Sequence, residues 1–346
     1  MVTTTEGLLE RPRATDEGNG RTDEESCRSE LSRYARPDLR RSLFGLATSL
    51  LPFLALWTLM YLALPVSYLL VLLLAVPAAG FLVRTYIVFH DCTHGSYFSS
   101  RRANAWVGSV LGLVVLTPYA RWRHEHTVHH ATSGDLDRRG VGDVPMLSVA
   151  EYEASSSAGR LGYRTFRHPF VMFGLGPIYS TFVLQRWAGR SASRRDRRSV
   201  WTTNLVAAIA VGALCWWLGW QAVLLVELPL VVLAGGVGIW LFYVQHQFEG
   251  TAWTRTPEWR FSDAALHGSS YLALPRVLQF FTGNIGFHHV HHLNPRIPNY
   301  HLQRAHDGQA VLRAVPRLSL GDGLRATRLK LWDERAGRLV PWPRTV

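Results

Sequence analysis

Lysine is all but missing from this 346-residue chain: Lys330 stands alone among 37 basic residues, and the rest are arginines. A bias that one-sided follows the nucleotide composition of a gene more readily than a function, so it does not define an arginine-specific recognition surface. Cysteine is scarce too. Cys27, Cys92 and Cys215 show no CxxC spacing, which argues against a disulfide framework, a thiolate zinc site and an iron–sulfur cluster. Charged residues make up only 18%, against roughly 25% in soluble globular proteins. No Gly-rich dinucleotide fingerprint is present, and no basic stripe interleaves with aromatics in the manner of nucleic-acid binders. Nucleic acid is therefore not an expected partner.

What replaces the missing charge is oil. Ser42 to Val83 contains no charged residue, and the block from Val200 to Val244 contains only Glu227. About 20 apolar residues cross roughly 30 Å of hydrocarbon, so each block is long enough for two spans. Pro65 and the stretch Gly219 to Gln221 are the natural turns, which predicts two helical hairpins. Glu227 then falls near the outer interface, where a solvated or snorkelling carboxylate is expected. Shorter apolar stretches at 106–116 and 169–183, the second broken by Gly174, Gly176 and Pro177, suit interfacial or re-entrant helices. Residues 1–41 are polar, lack the apolar core of a signal peptide and are expected to be disordered. Residues 42–310 then form the membrane domain and 311–346 a basic C-terminal tail.

The surplus of positive charge, +12 overall, sets the orientation. Arg101, Arg102, Arg121, Arg123, Arg138, Arg139, Arg194, Arg195, Arg197 and Arg198 lie between the hairpins, both terminal segments are also Arg-rich, and the hairpin tips carry none. By the positive-inside rule the termini and the central loop are cytoplasmic. The expected fold is all-α and integral to the membrane, with four transmembrane helices in two hairpins carrying a cytoplasmic helical cap.

Fifteen histidines remain, most of them clustered. "HDCTH" places His90 and His94 four apart, "HEHTVHH" holds His124, His126, His129 and His130, and "HHVHH" holds His288, His289, His291 and His292. Residues three or four apart share a helical face, so His90 converges with His94, His126 with His129 and His130, and His288 with His291 and His292. Imidazole suits iron, zinc, copper and nickel, and eight converging nitrogens exceed the needs of one ion, which implies two. An even number of spans separates the second cluster from the third, so all three meet on one side of the membrane. A zinc-protease reading fails, because HExxH needs histidine where Val128 stands. A metal transporter needs ionisable residues along its spans, and only Glu227 is available.

The order hairpin, two boxes, hairpin, box, together with the phrases "HDCTHGS", "RWRHEHTVHHATSGDLDRRG", "GIWLFYVQHQFE" and "FTGNIGFHHVHHLNPRIPNY", resembles the integral-membrane fatty acid desaturases, and within them the bacterial acyl-lipid enzymes of delta-5 and delta-12 (omega-6) type. The resemblance covers roughly residues 40 to 306. It implies a non-haem centre of two Fe ions that uses O2 as co-substrate to remove two hydrogens from an acyl chain. Box by box it implies His90, His94, His126, His129, His130, His288, His291 and His292 as ligands, with His246 of "YVQHQFE" as a ninth. His124 and His289 lie beside the boxes and are expected to support ligands or structure. His168, His267, His301 and His306 are taken as non-ligands. Asp91, Glu125, Asp135, Asp137 and Glu249 are candidates to orient ligating histidines, and Asn284 is a candidate for capping a helix or holding a water on iron.

The implied substrate is an acyl lipid or acyl thioester threaded into a narrow apolar tunnel, for which the aromatic segments 169–187 and 271–281 are candidate walls. Without a cytochrome-like segment or cluster cysteines, electrons must come from a separate carrier, a ferredoxin or flavodoxin, docking on the Arg-rich face of a protein in the bacterial plasma membrane. Acyl hydroxylases, acetylenases and carotenoid oxygenases on the same scaffold share the metal boxes and remain alternatives at this point, as does a histidine-rich metal transporter.

Overall fold

A computed structural model describes residues 30–343. Among these described residues, four helices are long and apolar enough to cross a membrane: Leu39–Ala63, Tyr68–His94, Arg194–Leu218 and Trp220–His246. They form the two expected hairpins, turning at residues 64–67 and at Gly219, whose φ of 86° is open to glycine. The first and third spans start on side-chain caps: Asp38 accepts from the Arg41 N–H, and Ser193 and Asp196 form a reciprocal capping box. Pro52, Pro77 and Pro229 lie inside spans, where packed neighbours can satisfy the freed carbonyls. Trp216, Trp217 and Trp220 are exposed around the second hairpin turn, the amphipathic belt expected at an interface.

Length places the chemistry. The second and fourth spans have 27 residues each, about 40 Å of helix at 1.5 Å per residue, against roughly 30 Å of hydrocarbon. Their surplus turns project beyond the apolar layer on one side, and these turns carry His90, His94 and His246. Gly95, at φ 69°, ends the second span immediately after His94.

The rest of the chain packs as a cap on those projecting turns. Helices Arg101–Val114 and Tyr119–Thr132 meet at a bend of 103°, so the 106–116 stretch is one arm of a sharply bent pair rather than a straight span. The 169–183 stretch begins as a π-helix, Val171–Leu175, and continues as Gly176–Phe182. It lies directly on the fourth span, because Gly235 and Gly236 have no side chain: a Cβ on Gly236 would sit 2.6 Å from the Phe173 carbonyl oxygen.

Both terminal segments depart from the sequence reading. Residues 1–29 lie outside the described residues, but 30–41 are built into the fold: Leu31 is fully buried and the first span begins at Leu39. Residues 311–343 are not a free tail either. Strand β1 (Leu147–Ser148) pairs in parallel with β4 (Leu331–Asp333), which pairs with β5 (Arg338–Val340), and β2 (Tyr271–Leu272) pairs with β3 (Arg317–Leu318). Leu312, Leu331 and Trp332 are buried. Val311 and Leu324 stay exposed, but Val315, Leu318 and Leu339 are buried with these three, so the segment is part of the cap.

Candidate metal centre

Three helical pieces and the end of the fourth span bring nine imidazoles together. His90 and His94 come from the second span, His126, His129 and His130 from helix Tyr119–Thr132, His288, His291 and His292 from the short helix His288–Leu293, and His246 from the last turn of the fourth span. Two quartets result, His90/His94/His126/His291 and His129/His246/His288/His292, each with donor atoms within 4.8 Å of one another. His130 belongs to the first by its Nε2, 3.2 Å from His126 and 3.0 Å from His291, and its ring stacks on His292 of the second.

The nitrogen spacings identify what the quartets can hold. Nε2 atoms lie 3.1 Å apart for His90 and His126, 3.1 Å for His129 and His246, and 3.0 Å for His246 and His288. Adjacent ligands at about 2.1 Å from one ion and at right angles are about 3.0 Å apart, given typical metal–imidazole distances. Nε2 of His94 and Nε2 of His292 are buried without any hydrogen-bond partner, although a buried polar nitrogen ordinarily has one. Inward-facing lone pairs, unpartnered and this close, fit a cation in each quartet.

Neighbours outside the quartets set which nitrogen faces in. His90 Nδ1 donates to Asp91 Oδ1 at 3.0 Å, and the other carboxylate oxygen accepts the Asn299 N–H at 2.7 Å. His129 Nδ1 donates to Asp143 Oδ1 at 2.6 Å, and Gly140 N–H donates to Asp143 Oδ2 at 3.1 Å. His246 Nδ1 lies 3.2 Å from both the Gly268 carbonyl oxygen and Ser133 Oγ. Such bonds fix tautomer and ring orientation, leaving Nε2 for a metal. Burial and the adjoining histidines hold the imidazoles of His126, His130, His288, His291 and His292 well below their ordinary pKa. They are neutral near pH 7, the form that ligates. Burial pushes the Asp143 carboxyl up, but its bond to His129, supported by the Gly140 N–H, outweighs this and keeps it below the usual carboxylate range.

The supporting residues are where sequence reasoning went wrong. Asp91 is in place, but Glu125 accepts instead from Arg121, Asp135 from Arg138 and Thr256, and Asp137 from Arg255 and Thr256, while Glu249 is exposed. His124 is exposed, because two residues before His126 is nearly the opposite helix face. His289 is fully buried but faces away, its Nε2 3.1 Å from His306 Nδ1. Asn284 sits at φ 60°, and its amide is engaged by Gln279 and the Asn299 carbonyl. Asp143 was missed. Its one signal is the glycine pair in "GVGD": Gly140 and Gly142 adopt φ of 111° and 71°, and a Cβ on Gly142 would press on His129 Cβ at 3.1 Å.

A cavity of about 390 Å³ reaches the quartets through His90, His126 and His288. Its walls are mainly the spans, with Leu82, Tyr86, Leu230, Ala234, Ile239 and Phe242, joined by Pro177, Ser180, Thr181 and Gln185 from the expected 169–187 segment. The 271–281 segment borders a separate small pocket of about 160 Å³ instead. Glu227 lines the large cavity and is no snorkelling residue: its Oε1 accepts from Trp57 Nε1 at 2.7 Å and from Tyr61 Oη at 2.8 Å.

Four span-capable helices among the described residues, two of which end in members of paired imidazole quartets, define the class, an integral-membrane protein equipped to hold metal ions. A profile of the fatty acid desaturase family matches residues 63–319. A fatty acid desaturase of Bacillus subtilis is 46% identical over 305 residues, which cover 88% of this chain and 87% of that one. An sn-1 acyl-lipid omega-3 desaturase (ferredoxin) and an sn-1 oleoyl-lipid 12-desaturase, both of Synechocystis, are 28% and 29% identical over 64% and 65% of this chain and 62% and 64% of theirs. The chain belongs to the fatty acid desaturase family and is an oxidoreductase.

Two outcomes are expected at this centre. Asp143→Asn weakens the hold on His129 and lowers metal affinity or activity by roughly 10–100-fold, measured as metal retained against a graded chelator; unchanged retention would show that the carboxylate is not needed. Acid acts through the five imidazoles of depressed pKa: unfolded histidines take protons below about pH 6.5 that the folded ones refuse. The unfolding temperature therefore falls as pH drops from 7 to 5 and is insensitive to these groups above 7. A flat profile down to pH 5 would contradict the assignment.

Proposed function

We propose that this protein is an oxygen-dependent membrane acyl desaturase, in which two iron ions held by the nine histidines serve the introduction of a cis double bond into a lipid-linked or thioester-linked acyl chain. One observation carries the reading: a long, largely apolar cavity, walled by membrane spans, has three of the nine imidazoles on its surface. Bound iron with dioxygen supplies an oxidant able to take hydrogen from an unactivated methylene as an atom, which no side chain is basic enough to take as a proton. The chain's own residues do the rest. Leu82, Ile239 and Phe242 align the alkyl chain and exclude water, and Asp91, Asp143 and the Gly268 carbonyl hold His90, His129 and His246 with Nε2 turned inward.

The arginine distribution supports a bacterial plasma-membrane location with the histidines and both termini cytoplasmic. Electrons come from a separate acidic carrier of ferredoxin or flavodoxin type, in keeping with the Synechocystis omega-3 desaturase, whose name includes ferredoxin. Arg194, Arg195, Arg197 and Arg198 are all exposed at the head of the third span and offer such a carrier a positive landing face.

Expressed with a competent ferredoxin in a host whose lipids are saturated, the protein is expected to yield chains with one new double bond by mass spectrometry, and His291→Ala to lose both product and iron. Hydroxylated chains, or unaltered lipids despite bound iron, would overturn the reading. Reversing the charge of the four arginines is expected to slow ferredoxin-supported turnover about tenfold or more at low salt and much less at high salt; equal rates at low salt would remove that face from consideration.

A further inference from the structure

The cavity has a polar end that the metal chemistry does not use. Gln245, Phe242, Gly238, Ala234, Leu230 and Glu227 line it from one face of the fourth span, at helical spacing. From Gln245 to Glu227 the helix advances about 27 Å, most of the roughly 30 Å hydrocarbon layer. Phe53, one turn from Trp57, and Leu230 and Val231, one turn from Glu227, line the cavity near Glu227 and are apolar. Glu227 is the exception, and an ionisable residue at membrane depth is costly enough to mark function by default. Its carboxylate is also held still: Trp57 and Tyr61 of the first span both donate to Oε1, so the head stays against the cavity.

We propose that Glu227 is the floor of the acyl cavity, a fixed polar stop that limits how long an acyl segment the enzyme accepts beyond its metal centre. The inference rests on the reading that the cavity holds the acyl chain methyl end first. An apolar floor can repack around a longer tail. A methyl group driven onto a tethered carboxylate strips polar contacts and returns none, so the limit is sharp. A purely structural strut between the first and fourth spans would leave chain-length preference untouched.

The test uses the full-length protein in membranes supplied with saturated acyl chains of increasing length, with conversion at each length normalised to each variant's own best substrate. Glu227→Ala is expected to move the upper limit to longer chains, with roughly tenfold or greater gain over the wild type at the first length beyond the wild-type limit, as one methylene is worth at least that in a fitted pocket. Glu227→Gln keeps an acceptor for Trp57 and Tyr61 and should leave the limit in place. Glu227→Leu, close in volume, reports the same direction if the alanine variant does not accumulate. Ala234→Trp, about 10 Å nearer the metal, calibrates the scale by shortening the limit. Profiles of Glu227→Ala and Glu227→Leu that superimpose on the wild type, while Ala234→Trp shortens its own, would overturn the inference and leave the desaturase reading intact. A wild type that desaturates no chain would overturn both.

Discussion

Everything in this protein depends on the mutual approach of neutral imidazoles. Nitrogens 3.0–3.2 Å apart, with His94 Nε2 and His292 Nε2 buried and unpartnered, are an unfavourable arrangement in the absence of a cation. Charging them is no escape, because burial and mutual repulsion resist protonation. The fold must therefore hold the rings where metal needs them and keep water and protons out. Spans longer than the bilayer lift three ligands above the oil, the bent helix pair delivers the second box, and the C-terminal strands tie the cap down.

Much of this was legible in the sequence, for identifiable reasons. Spans follow from the length of apolar runs, and the parity of spans puts the boxes on one side. Box membership follows from helix periodicity: His126, His129 and His130 share a face, whereas His124 lies two residues out of phase and is exposed. His289 fails the same way, flanked by ligands yet turned to His306. A 3.6-residue repeat in a six-residue helix such as His288–Leu293 is enough to separate ligand from bystander.

The supporting shell was legible only at Asp91, because little local pattern encodes the rest. Asp91 adjoins the histidine it serves, but Asp143 reaches His129 from a loop that two left-handed glycines and the Gln247 amide, bonded to the Val144 carbonyl, bend into place. Four other carboxylates close to the boxes in sequence bind arginines or face solvent. Proximity along the chain is a weak guide for side chains whose partner is set by loop geometry. Glu227 is the same lesson inside the membrane, since charge scarcity marks it as unusual but only the packing of the first span against the fourth gives it Trp57 and Tyr61.

The metal end and the membrane end of the cavity solve opposite problems with one helix. At its last turn the fourth span carries His246, whose Nδ1 is occupied by the Gly268 carbonyl so that Nε2 is free. In between, Gly235 and Gly236 let the 171–182 segment lie close enough to roof the cavity. A side chain at either glycine would push that roof away and admit water to a space whose value lies in being dry. Near its start the same helix carries Glu227. Because one rigid helix sets all three features, the distance between the metal site and the polar end is fixed by residue count, 18 positions from Gln245 to Glu227 at about 1.5 Å each. It does not depend on loops that could relax. A cavity measured by a helix in this way can discriminate chain length without any specific contact to the methylenes it encloses.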